Sequence, residues 1–135
     1  MNDLTRAYIE LLQRDRRFAP GAYEFIREAL AYAQDVLEMG GKIESGSGEA
    51  EQHLTGQELC EAVRRLALDQ FGLMARTVLN NWGIHSTRDI GDIVYNLIEL
   101  GVMRKSRHDR REDFYDVYDF EEAFDRSFEI TLPES

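Results

Sequence analysis

The tightest constraint on this chain is the helix punctuation between residues 54 and 101, where apolar periodic segments are separated by glycines and one helix start is doubly specified. Thr55 and Glu58 form a T-x-x-E capping box, and Leu54 and Leu59 hold the N′ and N4 positions of a hydrophobic staple. The helix they open is expected to run to Phe71, burying Leu59, Val63, Leu66, Ala67 and Phe71, with Gly72 as its stop. Met74, Val78, Leu79 and Trp82 define a second, short helix ended by Gly83. Ser86 or Thr87 caps a third, whose apolar face is Ile90, Ile93, Val94, Leu97 and Ile98 and whose stop is Gly101.

Upstream, Leu4, Tyr8, Leu11 and Leu12 mark an amphipathic helix over residues 3–14, and Asp15-Arg16-Arg17 reads as a polar turn. Pro20 suits the first position of a second helix, whose apolar face runs from Ala22 and Tyr23 to Val36 and Leu37 before Gly40-Gly41. Downstream, Val102–Lys105 and the alternating Phe114–Phe120 predict the two strands of a hairpin, with Ser106–Asp113 as its charged loop. Asp119-x-x-Glu122 caps a last turn carrying Ala123 and Phe124, and Phe128–Leu132 suits a sheet edge before Pro133.

The expected fold class is therefore mainly α with a small β-element, a winged-helix-like arrangement of helices followed by a short β-hairpin. Residues 1–135 are read as a single domain. Residues 1–39 form an N-terminal helical pair, 40–53 a flexible Gly/Ser-rich loop, and 54–135 a winged-helix-like core with an acidic C-terminal segment.

Composition narrows the function classes. A content of 43% hydrophobic and 10% aromatic residues with two prolines describes a folded chain. Met1–Leu12 carries Asp3, Arg6 and Glu10 and does not read as a signal peptide, and no stretch approaches the ~20 apolar residues of a membrane span. The single cysteine, Cys60, excludes an internal disulfide, and the expected setting is the cytoplasm. The net charge of −10 repels phosphate backbones unless the bases are segregated. They are partly so: residues 101–111 carry +4 and residues 112–135 carry −8.

Taken together, Arg17-Phe18 through Ala22-Tyr23-Glu24-Phe25, Thr55-Gly56-Gln57-Glu58-Leu59, Gln70-Phe71-Gly72 through Trp82-Gly83-Ile84, and Arg111-Glu112-Asp113-Phe114 through Phe124 form a set of signatures. In them the chain resembles a group of uncharacterised bacterial proteins found mainly in planctomycetes and verrucomicrobia. The resemblance implies a bacterial, cytosolic protein and carries no activity or functional residue.

Candidate chemistry is sparse. His53, His85 and His108 lie in separate loops or element ends, with no spacing that gathers metal ligands, and no nucleophile elbow, P-loop or dinucleotide fingerprint occurs, so neither enzyme activity nor a metal or cofactor is expected. Cys60 reads as a buried, inert thiol. A nucleic-acid reading would use residues 87–100 as recognition helix and Arg104, Lys105, Arg107, Arg110 and Arg111 as an anion-facing wing, but Asp89, Asp92 and Glu99 on that helix oppose phosphates. A protein-interaction or regulatory role is preferred, with Tyr115, Tyr118 and Phe120 as contact candidates. They belong to six aromatics spread over 15 residues, 114–128. The expected partner is another protein or a second copy, with nucleic acid as the alternative.

Overall fold

The computed structural model describes residues 2–37, 41–44, 50–105 and 109–126. Helix α1, Asp3–Arg14, starts where the Asn2 side chain accepts the Thr5 N–H at 2.7 Å. Helix α2, Pro20–Asp35, opens on the proline, whose missing N–H is no loss in a first turn. It ends earlier than Gly40-Gly41, with the Val36 and Leu37 N–H groups both closing on the Tyr32 carbonyl.

Helix α3, Gly56–Phe71, has the full capping box: the Glu58 N–H donates to Thr55 Oγ1 and the Thr55 N–H to Glu58 Oε1, both at 3.0 Å. Gly72 ends it and leads through a 3₁₀ turn, Gly72–Met74, into α4, Ala75–Asn81. Helix α5, Thr87–Leu100, is capped by Ser86. Both α4 and α5 close in the same way. After α4, the Gly83 N–H reaches Asn80 O and the Ile84 N–H reaches Leu79 O; after α5, Gly101 and Val102 repeat this with Ile98 and Leu97.

The five helices share one core. Helix α2 packs on α3 and α5, α1 on α5, and α4 on α3. Leu11, Tyr23, Ile26, Val63, Leu79, Ile84, Ile90 and Ile93 are among its most deeply buried side chains. The N-terminal pair is locked to the rest at one backbone contact, where the Ala19 N–H donates to the Trp82 carbonyl at 3.0 Å. Beside it, Gly83 has a φ of +96°, and a Cβ built there would stand 1.9 Å from the Arg17 carbonyl oxygen.

The winged-helix-like expectation is overturned. No strand occurs in the described parts of 102–126, so no β-hairpin follows the helices among the described residues. Arg111–Phe114 is a 3₁₀ turn and Glu121–Arg126 a π-helical turn. The residues of this segment satisfy their polar groups on the helices instead of on a partner strand: the Val117 N–H donates to Thr87 Oγ1 at 3.2 Å, and the Tyr118 hydroxyl to the Cys60 carbonyl at 2.7 Å. The only strands among the described residues, β1 Gly41–Glu44 and β2 Ala50–His53, pair antiparallel with Gly41 opposite His53, inside the stretch expected to be a flexible loop. The edge strand expected at Phe128–Leu132 lies outside the described residues.

Gly83→Ala is expected to lower stability by at least about 2 kcal/mol, since a left-handed backbone and a clash with a carbonyl act together. Thr55→Ala removes one cap and is expected to cost about 1 kcal/mol. Urea midpoints of the two variants against the parent chain check this order.

Candidate functional site

The turn between α1 and α2 supplies a carboxylate and a guanidinium that organise the outer face of α5. Asp15 accepts from Arg17 Nε at 2.9 Å, from Arg17 Nη2 at 2.8 Å and from Asn96 Nδ2 at 3.1 Å. Asn96 also bonds the Tyr23 hydroxyl, at 3.1 Å. Asp92 sits between two arginines, Arg17 at 3.0 Å and Arg111 at 2.9 Å. Charges therefore alternate along the face: Asp15, Arg17, Asp92, Arg111. The hydrogen bonds from Arg17, ahead of that from Asn96, hold the Asp15 carboxyl well below the usual carboxylate range, against the opposing effect of burial.

The same face accounts for the acids of α5. Asp89 accepts the His85 N–H at 2.9 Å, and Glu99 pairs with Arg14 at 3.1 Å. Arg111 is further placed with its guanidinium 4.5 Å from the centre of the Tyr95 ring. Of the other anion-binding candidates, Arg104, Lys105 and Arg110 are exposed, the Arg110 N–H donates to Asp113 Oδ2 at 3.1 Å, and Arg107 lies outside the described residues. Arg104, Lys105 and Arg110 are not presented on a strand.

The aromatic candidates form a strap across the helices. Phe114 is wedged over Gly91, where a Cβ would come within 2.7 Å of the Phe114 Cβ and Cγ atoms. Phe120 is 6% exposed and packs edge to face on Phe124 with ring centres 4.9 Å apart. Tyr118 stacks on Phe120 at 5.9 Å, and desolvation raises its phenol well above the ordinary value. Tyr115 is 38% exposed, with the Arg88 guanidinium 3.8 Å from its ring centre. Arg76 in α4 pairs with Asp125 at 2.7 Å and ties down the end of the strap.

Two features escaped the sequence reading. The first is the α3–α4 corner, where Leu73 is 72% and Met74 56% exposed, beside a cluster of Phe25, Phe71 and Trp82 with ring centres 5.5–5.9 Å apart. Met74 fits the periodicity of α4 but lies just before its first turn, where the 3₁₀ geometry turns it outward. The second is a cleft of about 220 Å³ between α2, the start of α3 and α5, lined by apolar residues such as Leu30, Leu59, Val94, Ile98 and Met103 together with the polar Gln34 and Thr55 and the charged Arg104 and Asp109. The Tyr95 hydroxyl is buried with no hydrogen-bond partner among the described residues.

Among the described residues no group of three or more His, Cys, Asp and Glu side chains could hold a metal ion, and no helix is long and apolar enough to cross a membrane. Cys60 is fully buried and its thiol is pushed up by desolvation, ahead of the nearby Glu61 charge. No protein-family model, curated protein or solved structure matches the chain.

A depressed carboxyl contributes stability above its unfolded value, and that contribution is lost as the pH falls toward the folded one. Asp15→Asn is therefore expected to cost about 1–3 kcal/mol at pH 7. The gap to the parent chain should close as the pH drops below about 4. Thermal unfolding of both proteins from pH 7 to pH 2 measures it.

Proposed function

We propose that this protein is a non-enzymatic interaction or regulatory module that docks on a partner protein through the Leu73–Met74 corner. The observation that carries the reading is the exposure of these two adjacent apolar side chains, 72% and 56%; the other exposed large apolar groups among the described residues, Leu4, Ile9, Val36 and Tyr115, do not adjoin one another in sequence. Neighbouring apolar side chains left in water are anchors for a partner's pocket. The net charge of −10 favours a partner whose docking surface is rimmed by basic residues. Of the aromatic candidates, Tyr115 remains open to such a partner, whereas Tyr118 and Phe120 support the core beneath the strap.

Nucleic-acid binding through residues 104–111 is the less favoured reading. Arg111 is engaged by Asp92 and Tyr95, and among the described residues no strand carries Arg104 and Lys105 into a groove. A reducing, cytosolic setting in a bacterium belongs to the same proposal and suits the buried free thiol of Cys60.

The test is affinity capture with the parent chain, with Leu73→Glu/Met74→Glu and with Tyr115→Ala, each with and without nuclease. A stoichiometric, nuclease-resistant partner is expected, weakened at least about tenfold by the double variant, which loses two anchors. Exposed substitutions of this kind change stability by only about 0.5 kcal/mol, so the double variant stays folded. Equal capture by the parent and the double variant would overturn the corner as the docking site, and capture that vanishes with nuclease would replace the reading with nucleic acid.

A further inference from the structure

We draw no further inference here: the strongest candidate, the cleft between α2, the start of α3 and α5, joins apolar walls to the charged Arg104 and Asp109, and nothing in the structure shows what covers it.

Discussion

The arrangement depends on one approach of backbone to backbone. The turn after α1 carries the Arg17 carbonyl onto Gly83, at a distance that leaves no room for a side chain, and the Ala19 N–H is satisfied by the Trp82 carbonyl next to it. From that contact the positions of the helices follow. The Gly83 closure of α4 aims the chain into α5, while Pro20, three residues beyond Arg17, starts α2 along the same core. The alternating charges of Asp15, Arg17, Asp92 and Arg111 then lie where the turn and α5 meet, and they hold the Arg111 end of the strap against that helix. A chain of ion pairs at a partly exposed surface adds little energy by itself, but it sets the direction in which neighbouring elements leave the core.

That network also changes how the acidic surface is understood. Asp89, Asp92 and Glu99 look like free carboxylates when the helix is considered alone. In the folded chain one receives a backbone N–H, one bridges two arginines and one pairs with Arg14. The repulsion that a run of acids would impose on α5 is converted into attachments to α1, to the α1–α2 turn and to the strap.

Much of this was legible in the residues. Helix starts and stops are written in short-range hydrogen bonds, so Pro20, the Thr55–Glu58 box, Ser86, Gly83 and Gly101 could be placed from the chain itself, whereas the Asn2 cap went unread and the end of α2 fell earlier, at Asp35. The Asp119 cap at Glu122 was likewise visible and is present at 3.1 Å. The strap was not legible, because alternation from Phe114 to Phe120 has the period of a strand while its hydrogen-bond partners, Thr87 and the Cys60 carbonyl, are remote in sequence. The cleft was hidden for the same reason, being assembled from α2, α3 and α5 together. The corner was obscured by periodicity, which counts Met74 with α4 and cannot see the 3₁₀ turn that exposes it.

The wedge of Phe114 over Gly91 joins three elements at one ring. Its seat exists only once α3 and α5 have come together, because the ring lies against Gly56 of one and Gly91 of the other. The strap therefore has no native seat until these two helices have met, and the one ring that fills the seat ties both of them to the segment that follows. A side chain added at either glycine would deny the ring its place and detach the strap from α3 and α5 alike.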